Sequence, residues 1–141
     1  MKYSHKLSDA IHILAFVDIF QGGDVSSTMI ASSIESNPSL VRRLMSQLAK
    51  ADLLITRPGV SAASLARPAE TISLLDVYRA IDDSQQLLHV DPKTSMACPV
   101  GRNIQATLDG VYDRVQQAAE AEMANVSLAE IIQDLQAKIN A

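Results

Sequence analysis

The sequence predicts a mainly α-helical protein with a small β-hairpin and a long helix toward its C-terminal end. Three observations carry this prediction. Apolar residues recur near the 3.6-residue helical period through most of the chain, two short β-prone runs flank Pro58-Gly59, and an apolar stripe runs over residues 99–124. The 141 residues suit one domain, or one domain with an appended element. With 48% apolar and 20% charged residues, the chain lies far from the composition of disordered proteins. No apolar run approaches the roughly 18 residues of a membrane span. The basic start Met1-Lys2-Tyr3-Ser4-His5-Lys6 leads into an amphipathic segment holding Asp9 and Asp18 rather than into an apolar signal core, so a cytoplasmic protein without membrane contact is expected. A single cysteine, Cys98, excludes an internal disulfide and with it the small disulfide scaffolds.

The elements follow in order. Ala10, Ile11, Ile13, Leu14, Val17 and Phe20 give a first helix over 8–20, with Ser8 or Asp9 as its start signal and Gly22-Gly23 as its stop. Ser26 or Ser27 caps a short second helix reaching Ile34, with Met29, Ile30 and Ile34 inward. Asn37-Pro38 is a compact start for a third helix, because asparagine accepts from unpaired amides and proline lacks only a donor that has no partner there. That helix runs to about Ala51, burying Val41, Leu44, Met45 and Leu48 with Leu40 alongside, and leaves Ser39, Arg42, Arg43, Ser46, Gln47 and Lys50 on its outer arc. The runs 53–57 and 64–67 form the hairpin. Ser73 with Asp76 opens a fourth helix carrying Leu74, Leu75, Val77, Tyr78 and Ile81 inward. Residues 83–98 read as loop, 99–124 as the long helix, and Ser127 with Glu130 as a capping box for a last helix with Leu128, Ile131, Ile132, Leu135 and Ile139 apolar.

Two helices joined by a short polar turn, a basic-faced second helix and then a hairpin make a winged helix-turn-helix. A helix about 10–12 Å across fits the major groove of DNA, where its first turns meet base edges and its cations meet phosphates or guanine. The net charge of −4 argues against a polyanion partner, but it is unevenly spread: residues 1–70 carry a balance of +1 and residues 71–141 one of −5. The expected partner is double-stranded DNA. The candidate contacts are Ser27, Asn37, Ser39, Arg42, Arg43, Ser46 and Lys50 on the helices, with Arg57 and Gly59 at the hairpin tip. Arg42 and Arg43 diverge by about 100° around the helix, so one is expected to enter the groove with Ser39 and Ser46 while the other faces the phosphate backbone.

Residues 37–65, together with the first helix, the helix Ser73-Leu74-Leu75-Asp76-Val77-Tyr78-Arg79-Ala80-Ile81 and Cys98-Pro99-Val100-Gly101 opening the long helix, resemble the Rrf2 family of bacterial transcriptional regulators. The chain is most similar to members without a metal centre. The resemblance implies a homodimer in which long C-terminal helices pair and two winged domains read a palindromic operator. Two departures stand out. Ala62-Ala63-Ser64 occupies a stretch where family wings carry adjacent glycines, and of the three cysteines that hold iron–sulfur clusters in some members this chain matches only Cys98. One thiolate cannot hold a cluster that needs three or four protein ligands, so no iron–sulfur cluster and no other cofactor is expected.

The expected division is a winged DNA-binding domain over 1–82 with its wing at about 53–67, a loop and candidate effector region over 83–98, and dimerisation helices over 99–141. Ile104, Leu108, Val111, Tyr112 and Val115 form the expected dimer seam, with an effector pocket as the other use of that stripe. Asp109, Asp113, Glu120 and Glu122 read as solvated. Cys98, at a helix start, is a candidate for redox or effector sensing, with an inert thiol as the favoured reading. His5, His12 and His89 are scattered and make no metal site. No phosphate loop, nucleophile triad or paired carboxylates mark an enzyme. The function expected is sequence-specific transcriptional regulation, as a repressor; the alternative is a protein-interaction module whose winged fold has lost DNA binding.

Overall fold

The computed structural model describes residues 4–56, 63–81 and 86–141. Helix α1, Lys6–Ile19, starts ahead of the expected Ser8 or Asp9: His5 sits at its cap position without a side-chain bond, and the Ser4 hydroxyl accepts from the Lys6 amide at 3.2 Å. Asp9 falls instead in the first turn, where its charge suits the positive end of the helix. Ala10, Ile13, Leu14, Ala15 and Val17 are buried, but Phe20, expected inward, is 52% exposed because the helix ends one residue before it.

Helix α2, Ser27–Ile34, is capped by Ser26, whose hydroxyl accepts from the Met29 amide at 3.2 Å. Ile30 and Ala31 face the core, whereas Met29, expected inward, points to solvent, being turned by about 100° from Ile30. The chain then turns through Glu35 in the left-handed region (φ 61°) and enters α3, Pro38–Lys50, where Asn37 Oδ1 accepts from the Leu40 amide at 2.9 Å. Val41, Leu44, Met45 and Leu48 are buried as the periodicity requires. Asp52, again left-handed (φ 60°), closes α3: its amide donates to Ala49 and the Leu53 amide to Leu48, the paired bonds that satisfy carbonyls at a helix end.

Strands β1, Leu54–Ile55, and β2, Ser64–Leu65, pair antiparallel with Leu54 opposite Leu65 and Ile55 opposite Ser64. A single 3₁₀ turn at Ala69–Thr71, absent from the sequence expectation, leads to α4, Leu74–Ile81. Its start is a reciprocal cap, with Asp76 accepting from the Ser73 amide and the Ser73 hydroxyl from the Asp76 amide, both at 3.0 Å. Arg67 reaches the same carboxylate at 3.1 Å and the Thr71 carbonyl at 2.7 Å, tying the second strand to α4. Val77, Tyr78 and Ile81 are buried; Leu74 and Leu75 are half-buried.

Residues 86–98 carry no regular element. Helix α5, Pro99–Ala124, follows, and α6, Leu128–Ile139, begins with the expected capping box of Ser127 and Glu130. The Leu128 amide donates to Ile72 and the Leu74 amide to Val126, both at 2.8 Å, so α6 returns to the winged half. Leu128 and Ile132 therefore join Ile13, Leu14, Val17, Leu44, Leu48, Leu53, Ile72 and Val77 in one apolar core, although the sequence grouped α6 with the dimerisation helices. Leu135 and Ile139 stay exposed.

Candidate nucleic-acid interface

Alpha-helix α3 contains no acidic residue, and Ser39, Arg42, Arg43, Ser46 and Lys50 are all exposed on it. Ser39, Arg42 and Ser46 follow at intervals of three and four residues and share one face, while Arg43 and Lys50, seven apart, share the next. Arg42 Nη2 donates to Ser39 Oγ at 3.2 Å and Nη1 lies 3.4 Å from Ser27 Oγ, the latter on the first residue of α2. Two neutral hydroxyls, one from each helix of the pair, thus hold the guanidinium without neutralising it. Among the described residues, Arg42, Arg43 and Lys50 form no ion pair, so the face keeps its positive potential. Asn37 is committed to capping α3, which orients the helix start that would face a groove.

Gln47 departs from the expected outer arc. It is half-buried at the flank of the apolar stripe, and its Oε1 is shut from solvent without a hydrogen-bond partner among the described residues. Arg57 and Gly59 lie outside the described residues. Ala63, next to the tip, is buried against the core. Behind the helix pair, His12 Nε2 and Ser33 Oγ approach to 2.7 Å and join α1 to α2.

Along α5, Ile104, Leu108 and Tyr112 are half-buried, and Val111 and Val115 are 42% and 43% exposed. Positions 104, 108, 111 and 115 alternate steps of four and three, the spacing of a helix-pairing seam. Glu120, expected on the solvated face, instead accepts from Arg79 at 2.9 Å and from Gln116 at 3.0 Å, and these bonds, Gln116 first, hold its carboxyl below the ordinary range. Asp113 accepts from Gln117 at 3.3 Å. Cys98 is exposed at the cap position of α5, and the amides of Gly101 and Val100 pull its thiol pKa down. Gly101 is required there: a Cβ would lie 2.4 Å from the Ser95 carbonyl oxygen, where the incoming loop crosses the first turn of α5. Sequence reasoning missed the joint made by Gln116 and Tyr78 and the left-handed Glu35 and Asp52, because none of these residue types announces such a role.

The profile of the Rrf2 family, described as "Iron-dependent Transcriptional regulator", matches residues 3–134. The chain belongs to the Rrf2 family. Rrf2 proteins are non-enzymatic transcriptional regulators with a DNA-binding fold. The chain is 42% identical over 130 residues to the Bacillus subtilis (strain 168) protein named "Putative HTH-type transcriptional regulator YwnA", covering 92% of this chain and 96% of that one. It also resembles the crystal structure of "a putative DNA binding protein" at 42% identity and a TM-score of 0.72, covering 90% of this chain and 98% of that one. The B. subtilis global cysteine regulator CymR shares the fold at 18% identity, with a TM-score of 0.67 over 94% of this chain and 97% of that one. Among the described residues no helix is long and apolar enough to cross a membrane.

The family description raises iron, and the donors of this Rrf2 chain do not fit an iron–sulfur group. Cys98 is its one thiol, and among the described residues no three His, Cys, Asp or Glu side chains gather.

Proposed function

We propose that this Rrf2 protein is a cytoplasmic, sequence-specific repressor that binds a palindromic operator as a homodimer and works without a metal cluster. The observation that carries the reading is the acid-free outer face of α3, with Arg42 held between hydroxyls of both helices and paired with no carboxylate among the described residues. In this reading Arg42 enters the major groove with Ser39 and Ser46. A guanidinium offers paired donors that match the O6 and N7 acceptors of guanine, and the serine bonds limit the rotamer freedom lost on docking. Arg43 and Lys50, on the adjacent face, meet phosphates, with Ser27 and Asn37 at the helix starts beside them and Arg57 and Gly59 reaching the flanking groove. The seam of Ile104, Leu108, Val111, Tyr112 and Val115 supplies the dimer, so that two recognition helices fall on half-sites about one helical turn apart.

The test is selection of duplexes from a random library by the purified protein, followed by anisotropy titration of the enriched sequence at two salt concentrations. A palindrome with steep salt dependence is expected. Arg42→Ala costs about 1–3 kcal/mol and relaxes preference at one position of each half-site. Arg43→Ala weakens all sequences alike and lowers the salt slope by about one. Unchanged affinity in the double alanine variant removes α3 as the reading element.

A further inference from the structure

Helix α5 has 26 residues and buries one of them, Gln116, which is 4% exposed. The fully buried point of the joint between this helix and the winged half is polar. Gln116 Nε2 lies 3.2 Å from the Tyr78 hydroxyl on α4 and 3.0 Å from Glu120 Oε2, while its Oε1 accepts from the Leu87 amide at 2.9 Å. Glu120 in turn holds Arg79 of α4 at 2.9 Å. A carboxamide donates and accepts at once, so this single side chain fastens α5 to α4 and to the loop that connects them. Directional bonds fix rotation and slide at a helix crossing. Apolar contacts of equal area are satisfied by many crossings.

We infer that Gln116 is a positioning residue for DNA reading: it sets the angle at which α5 leaves the winged half and, through it, the separation of the two recognition helices. The inference rests on the dimeric operator reading above. In such a dimer the winged halves are linked only as firmly as each is joined to its own long helix. A loosened crossing leaves every α3 contact intact yet spreads the distance between half-sites, and one base pair of spacing is only about 3.4 Å. Gln116 thus governs spacing specificity, while Arg42 and its neighbours govern base specificity.

The test uses the full chain with nitroxide labels at Ser32→Cys on α2 and Asp109→Cys on α5, in a Cys98→Ser background and diluted with unlabelled protein, so that the distance within one chain is read without DNA. Gln116→Leu and Tyr78→Phe are each compared with the parent. The expected result is a distance distribution that broadens or shifts in both variants, more in Gln116→Leu, with native far-ultraviolet spectra retained. In duplex selection with randomised spacers, the same half-sites are then enriched, but preference for one spacing over its neighbours falls severalfold. An unchanged distribution in both variants overturns the inference, including the case in which only the unfolding temperature drops, which is what a merely structural glutamine would give. Should the distribution broaden while the parent enriches no DNA, the operator reading fails and the control of the α5 angle by Gln116 stands.

Discussion

Leu14, Leu44 and Leu48 lie wholly inside the winged half, whereas α5 withdraws a glutamine from solvent and leaves Val100, Val111 and Val115 exposed. The first region is held by an apolar core drawn from five helices, α6 among them, and the hairpin, and its geometry follows from filling volume. The second is held by directional bonds to Tyr78, Leu87 and Arg79, and its apolar stripe is covered only in part by the described residues, with Ile104, Leu108 and Tyr112 half-buried and Val111 and Val115 exposed. The difference teaches which parts of the molecule stand alone. A sealed core resists change everywhere at once; a helix held at a polar crossing and at the turn after its last residue keeps its own structure while its direction answers to those joints and to whatever covers its open face.

The comparison can be broken first at the core. Leu48→Ala empties a site with no exposed surface and is expected to cost about 3 kcal/mol in urea unfolding, the range for a Leu-to-Ala cavity. A loss no larger than that of a surface substitution would mean that the winged half is not the rigid partner. Next is the seam. Val111→Glu with Val115→Glu places charges where two helices would meet, so sedimentation should show a monomer with its helical content retained, and operator affinity should fall about a hundredfold as the two half-sites lose their linkage. Persistence of a dimer would move the interface elsewhere. The smallest effect is at Asp76, where the second strand is tied to α4. Burial pushes its carboxyl up, but the Ser73 amide and the Arg67 guanidinium outweigh that and leave the pKa below its ordinary 3.8. A carboxyl with a lowered folded pKa contributes stability above its unfolded value and loses it as pH falls through the folded one. Unfolding midpoints should therefore drop below about pH 4. Asp76→Ala should remove about 1 kcal/mol at neutral pH, the worth of a helix cap, and flatten that acid dependence.

How much of this was legible in the residues varies from place to place. Asn37-Pro38, Ser26 and the Ser127–Glu130 pair gave the helix starts because capping is a local bond between neighbours in sequence. The stripe of α3 gave both its buried side and its cationic face, and the two β-prone runs gave the hairpin. The start of α1 was misread because Ser8 and Asp9 are good capping residues, yet Ser4 lay close enough to take the amide of Lys6. Phe20 is exposed because a period read from sequence does not say where a helix stops turning, and Met29 because it lies one helical step from the buried Ile30. Of the candidate site, the exposure of Ser39, Arg42, Arg43, Ser46 and Lys50 was foreseen; that Arg42 would bridge Ser27 and Ser39 was not.

The sequence by itself determined the local order: which segments are helical, where most of them are capped, and which face of α3 is apolar. Those are decisions taken within a few residues by periodicity, capping and composition. Only the tertiary structure decided that α6 closes the winged core, that Glu120 faces Arg79 rather than water, and that Gln116 rather than an aliphatic residue joins α5 to α4. Those pairings bring together residues 38 to 56 positions apart in the chain, as with Tyr78 and Gln116 or Ile72 and Leu128, and nothing in a polar side chain's neighbours reveals which distant partner will satisfy it once both leave water.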